Sequence, residues 1–209
     1  KDKDKPVLSR SDFLVMSELG KDIGILKESE QKIIKNLLRF NRILIKDVMT
    51  PRIVVVAEDG SITIKDFHDR NSQLPFSRIP VYQSSNDKVT GYVLKDKILL
   101  SLLEGNGGET LNSLRRDIII SHSATPIPDL LDKFIAEREH IALVVDEYGG
   151  TEGIVTMEDI IETLLGIEIV DEMDSAEDMR ALARKNWELR AKKMGLLATD
   201  SSVKNRDIF

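Results

Sequence analysis

Gly153-Ile154-Val155-Thr156-Met157-Glu158-Asp159 is a short apolar strand that stops at a threonine and turns directly into the helical pattern Ile160-Ile161-Glu162-Thr163-Leu164-Leu165. At such a strand-to-helix junction Thr156 caps the helix through its hydroxyl, with Asp159 in the third helical position. Backbone N–H groups and the positive end of the helix dipole are then expected to face outward. The arrangement suits an anion, phosphate above all. An ordinary capping box has the same T-x-x-D spacing, so the meaning of the junction rests on its surroundings.

The junction has an echo. Gly91-Tyr92-Val93-Leu94-Lys95-Asp96-Lys97-Ile98 precedes it by 62 positions, and Arg78-Ile79-Pro80-Val81-Tyr82 returns as His140-Ile141-Ala142-Leu143-Val144, also after 62. Strand-like Ile53-Val54-Val55-Val56 returns as Ile118-Ile119-Ile120 after 65, which implies about three extra residues inside the first copy. Helical spacing runs over Ile64 to Asn71 and Ile127 to Glu137. Each copy is thus predicted to be strand, helix, strand, turn, strand, helix. The fold class is α/β in the broad α+β sense, and two such units are expected to close a shared core that neither buries alone. The turn before the last strand is polar in both copies, and Gly149-Gly150 permits positive φ in the second.

Upstream, Ser11 to Leu19 and Leu26 to Phe40 have helical spacing, separated by Gly20 and Gly24, and form a lead-in that packs on the units downstream of it. Beyond the second copy, Glu168 to Asp178 is acidic. It reads as a helix start, with Ser175 and Asp178 as a capping box and basic residues beyond, better than as a divalent-metal site. Gly195 closes that helix, and Trp187 anchors it on a surface. The expected division is 1–46 lead-in, 47–108 first unit, 109–170 second unit and 171–209 charged helix and tail.

Composition narrows the function. The 209 residues are 41% apolar and 32% charged, as in ordinary globular proteins. The absence of cysteine excludes disulfides and thiolate metal sites and fits a reducing compartment. His68, His122 and His140 are isolated from one another and read as structural. A net charge of −6 does not supply the basic face that nucleic acid requires. No run reaches the roughly 18 apolar residues of a membrane helix. The charged opening Lys1-Asp2-Lys3-Asp4-Lys5 reads as a solvated end, and the chain as a piece of a larger protein.

Asp47-Val48-Met49-Thr50-Pro51-Arg52, Ser77-Arg78-Ile79-Pro80-Val81-Tyr82, Asp146-Glu147-Tyr148-Gly149-Gly150-Thr151 and the Gly153 to Asp159 stretch together resemble a tandem pair of CBS domains, a Bateman module. Their wording is similar to the CorC/HlyC and CNNM family of magnesium transport and resistance proteins, from about residue 11 to about residue 195. The resemblance implies a preceding membrane domain, a flat homodimer made through the CBS helices, and Mg-ATP or another adenine nucleotide bound between the repeats. It also implies that Thr50 contacts the nucleotide, that Phe76, Ile79 and Pro80 line the base pocket, and that Arg78 meets phosphate.

The residues themselves support one such cleft. Thr156 and the N–H groups after it suit phosphate, and Asp159 suits ribose hydroxyls, which donate hydrogen bonds. Glu158 and Asp159 beside a triphosphate call for Mg²⁺ arriving with the nucleotide. Arg78, opening an apolar strand, needs an anion or an ion-pair partner. In the first copy Leu94 stands where Thr156 does and Lys97 where Asp159 does, so that cleft is expected to stay empty. No nucleophile, base and orienting group occur together, so no enzyme is expected. The reading is a regulatory nucleotide-binding module at the cytoplasmic side of a membrane, with no nucleic-acid partner. The alternative is a structural dimerisation module with a vestigial cleft.

Overall fold

The computed structural model describes residues 9–71, 74–85 and 87–166. The charged opening, the acidic stretch from Glu168, the helix expected around Trp187 and the tail lie outside the described residues. Two lead-in helices come first, α1 (Arg10–Asp22) and α2 (Glu28–Phe40). Ser9 opens α1: its hydroxyl accepts from the Asp12 N–H at 3.2 Å, and the Asp12 carboxylate accepts from the Ser9 N–H at 2.7 Å. The Ser9 N–H, and with it the Ser9 hydroxyl at 2.7 Å, donate to the carboxylate and hold the Asp12 carboxyl below its ordinary pKa. Gly24 makes the turn between the helices at φ +77°, whereas Gly20, expected to share that role, lies inside α1 against Leu26. α2 packs on the last helix of the second repeat and places Phe40 in that repeat's core.

The first repeat is β2 (Glu58–Asp59), α4 (Ile64–Asn71), β3 (Arg78–Tyr82), β4 (Val89–Leu94) and α5 (Lys95–Leu103). The second is β5 (Ile119–His122), α6 (Ile127–Glu137), β6 (Ile141–Val145), β7 (Thr151–Thr156) and α7 (Met157–Leu165). In each, a parallel pair joined by a helix is followed by an antiparallel hairpin. Both hairpins carry a register shift at the same place, Val81/Tyr82 and Val144/Val145.

The segments that precede the repeats exchange places. The short helix α3 (Ile45–Val48) and the strand β1 (Thr50–Pro51) come before the first repeat but belong to the second, because β1 extends its sheet in the order β1-β7-β6-β5. Reciprocally, the 3-10 turn Leu111–Leu114 and Arg116 come before the second repeat and lie on the first, with Arg116 bridged to Tyr92. The bridges Leu44 to Pro126 and Thr63 to Thr110 repeat the exchange. The expected shared core is therefore two cores. One gathers Ile119, Ile127, Leu130, Phe134, Val155 and Ile160 around the imported Ile45 and Val48; the other gathers Ile64, Phe67, Ile79, Val81, Val93 and Ile98 around the imported Leu111. Each half completes its core with a borrowed segment, which ties the two together by burial of apolar surface.

Two expectations of register change. Ile53 to Val56 is not a strand: after Pro51 the chain turns, with Val54 N–H donating to Pro51 O at 3.0 Å and Val55 N–H to Arg52 O at 3.3 Å. β-branched residues favour strands only where a partner edge is available; the pairing runs out just past Pro51, with Arg52 N–H donating to Glu152 O at 2.8 Å near the start of β7 at Thr151, so Val54 to Val56 have no edge to join. The equivalence of β3 with β6 is 63 positions, Arg78 matching Ile141, because the first hairpin's loop (83–88) is one residue longer than the second's (146–150). β4 and β7 remain 62 apart. The imported segments are 66 apart, Thr50 matching Arg116. The three extra residues of the first copy thus sit in the turn between Thr50 and Glu58.

Side chains alternate along these strands. Ile79 and Val81 of β3, and Val155 of β7, enter the cores, so Arg78 and Pro80 share the opposite face of β3, and Ile154 and Thr156 that of β7. Those opposite faces carry the candidate site.

Candidate functional site

The α7 N-terminus is built as the spacing requires. The Thr156 hydroxyl accepts from the Asp159 N–H at 3.2 Å, and Asp159 Oδ2 accepts both the Thr156 N–H and its hydroxyl proton at 2.8 Å. Thr156 and Asp159 are half-buried and Glu158 is exposed. The donors are less available than the spacing suggested: Met157 N–H donates to His140 O at 3.0 Å, and Asp159 N–H is held by its cap. One carboxylate oxygen of Asp159 is likewise engaged inside the box.

Thr50 reaches this junction through the exchanged strand. It pairs with Ile154, two residues before Thr156, although its sequence neighbours lead into the first repeat. From the first repeat comes Arg78, whose Nη1 lies 3.6 Å from Glu158 Oε1. At 25% and 52% side-chain exposure this pair is a partly screened contact of modest worth, and it spans the two repeats. Phe76 sits half-buried in the segment leading into β3; Pro80 is buried on Arg78's face, and Ile79 is buried in the first core. The structure therefore brings Thr50, Thr156, Asp159, Glu158 and Arg78 to one inter-repeat region, with Pro80 on the same face of β3, while Ile79 points away from it.

The equivalent junction at Leu94 differs as its sequence implies. α5 begins without a side-chain cap, and Lys97 is exposed. The sequence reading missed the group beside it. Tyr92, Arg116 and Glu139 are bonded to one another: Arg116 Nη2 to Glu139 Oε1 is 3.0 Å, the Tyr92 hydroxyl donates to Glu139 Oε2 at 2.5 Å, and the guanidinium lies 5.7 Å from the Tyr92 ring centre. Burial and the Glu139 carboxylate push the Tyr92 phenol up to about 12. The reading also missed why both copies place a glycine before the junction. A β-carbon at Gly153 would meet Thr50 O at 2.2 Å, and one at Gly91 would meet Arg116 O at 2.3 Å. The matching glycines were the only signal of the exchange.

Residues 45–104 and 111–166 match the CBS domain family model, so the chain belongs to the CBS-domain family and carries a pair of these domains. Among relatives, a UPF0053 protein of Synechocystis sp. is 31% identical over 191 residues, 91% of this chain and 55% of that protein. The solved CBS domain of the bacterial CNNM/CorC family Mg2+ transporter has a TM-score of 0.73 at 29% identity, covering 79% of this chain and 100% of that one. A structure of such a domain in complex with ATP has a TM-score of 0.63 at 32% identity, covering 67% of this chain and 99% of that one. The chain spans only 28% to 55% of the length of the first curated relatives it matches. No helix among the described residues is long and apolar enough to cross a membrane.

Proposed function

We propose that this CBS pair binds an adenine nucleotide with Mg²⁺ between its repeats and regulates a magnesium or other divalent-cation transport protein of which it is a part. The observation that carries the reading is the capped α7 N-terminus, met from the other repeat by the Arg78 guanidinium at Glu158. A helix start faced by a cation is the chemistry of phosphate binding. The ATP complex of a similar domain supports the choice of ligand.

In this reading Thr156 and Arg78 contact phosphate, Asp159 accepts from the ribose, and Thr50, Phe76 and Pro80 surround the base, while Ile79, whose side chain lies in the first core, only positions the backbone of β3. Glu158 sets the requirement for Mg²⁺. The module is not catalytic: it converts nucleotide occupancy into a change of the inter-repeat angle, transmitted through the lead-in helices to a membrane domain, with the module on the cytoplasmic side. Titration calorimetry with ATP, ADP and AMP, each with and without Mg²⁺, tests this; saturable binding of at least one is expected, and no heat with any of them contradicts it.

Two modules pair through their helices in the same reading. α5 exposes Leu99, Leu100 and Leu103, the last 87% exposed, an apolar face that association would cover. Light scattering should return the mass of a dimer, and a monomer mass at tens of micromolar would refute the pairing.

A further inference from the structure

The repeat equivalences assign a role to Tyr92, Arg116 and Glu139. Of the two clefts, the first at Thr156 and the second at Leu94, Arg116 occupies in the second the place that Thr50 occupies in the first, since the bridge Arg116 to Tyr92 matches the pair Thr50 to Ile154. Counting back from the equivalent strand starts Arg78 and Ile141, Glu139 occupies the place of Phe76. The same correspondence holds in the backbone, because Lys95 N–H donates to Ser77 O just as Met157 N–H donates to His140 O. Where the first cleft has a hydroxyl, an aromatic ring and an aliphatic side chain, the second has a guanidinium, a carboxylate and a phenol bonded to one another.

We propose that the second cleft is closed by this triad, so that Tyr92, Arg116 and Glu139, and not only the substitutions Leu94 and Lys97, limit the chain to one nucleotide. The inference rests on the nucleotide reading of the first cleft. Its geometry is that of a filled site. Tyr92 is 2% exposed and the Glu139 side chain 17% exposed, so a ligand base would have to displace a largely buried carboxylate from two donors. That displacement breaks the ion pair with Arg116 and leaves the buried Tyr92 hydroxyl without its acceptor, which is unfavourable. The triad also spans the repeats, from β4 to the connection between α6 and β6, and so ties them together on this side of the module.

The test restores the missing contacts with and without the triad. Mg-ATP stoichiometry is measured by calorimetry on the wild-type chain, on Leu94→Thr/Lys97→Asp, on that double variant carrying Glu139→Ala, and on the double variant carrying Arg116→Thr and Glu139→Phe. One nucleotide is expected in the first two and a second in the chains that lack the triad. The Glu139→Ala chain adds no bulk and carries the test if the fourfold variant does not fold. A second nucleotide in Leu94→Thr/Lys97→Asp with the triad intact overturns the proposal. So does a single nucleotide in every folded chain, which leaves the first-cleft reading standing. No binding to the wild-type chain sinks that reading and this inference together.

Discussion

Gly153 lies so close beneath the Thr50 carbonyl that a β-carbon built on it would come within 2.2 Å of the oxygen. The obstacle is backbone of a paired strand, which has no rotamer to give. Gly153→Ala should therefore displace β1 from β7 and destabilise the module by about 2 kcal/mol or more, in the range of severe overpacking. Gly91→Ala, against Arg116 O at 2.3 Å, should do the same on the other side. Urea midpoints of both variants check this; unchanged midpoints would mean that the exchanged segments do not lie where the structure puts them.

Tyr92 makes stability depend on alkaline pH. Its phenol titrates at about 12 in the fold against an ordinary value of 10.0, through burial first and Glu139 second. The folded pKa is raised, so the contribution is complete below about pH 10 and is lost as pH rises toward 12. Tyr92→Phe should be less stable than wild type at pH 8, and the difference should shrink above pH 10. A constant difference from pH 8 to 11 in denaturant titrations would contradict the assignment.

The ion should matter through Glu158 and Asp159. Each unit charge of a phosphate at ~4 Å from a carboxylate meets on the order of 4 kcal/mol of repulsion at an effective dielectric of ~20, before salt screening. Arg78 already shares its charge with Glu158 at 3.6 Å. ATP should bind weakly in chelator and strongly in millimolar Mg²⁺, and Glu158→Gln should narrow that gap by improving binding without the ion. Equal affinities in the two conditions would count against any role for the carboxylates.

How much of the fold and site could be read from the chain depends on the range of the interactions. The helices α4 and α6 and the Thr156 to Asp159 cap were legible because they depend on residues three or four apart. The exchange of segments was not, because Ile53 to Val56 has stronger strand character than Thr50-Pro51, and the choice is made by Gly153, about a hundred residues away in the chain. Arg78 could be singled out as a cation needing a partner, but only the packing of the repeats shows that the partner is Glu158. The Tyr92, Arg116 and Glu139 triad comes from three separate elements, and nothing local marks any of its members.

One cleft, at Thr156 and Asp159, should take one nucleotide. Mg-ATP titration of wild type beside Asp159→Ala, Asp159→Asn and Lys97→Ala tests this most directly. Asp159 also accepts the Thr156 N–H and hydroxyl, and Asp159→Asn keeps a neutral acceptor for those bonds, so it separates the charge from the cap. One site is expected in wild type. Asp159→Ala should lose about 1.5–3 kcal/mol, roughly ten- to more than hundredfold in affinity; Asp159→Asn should lose less, and Lys97→Ala almost nothing. Two nucleotides per wild-type chain, or a loss in Lys97→Ala equal to that in Asp159→Ala, would contradict the account.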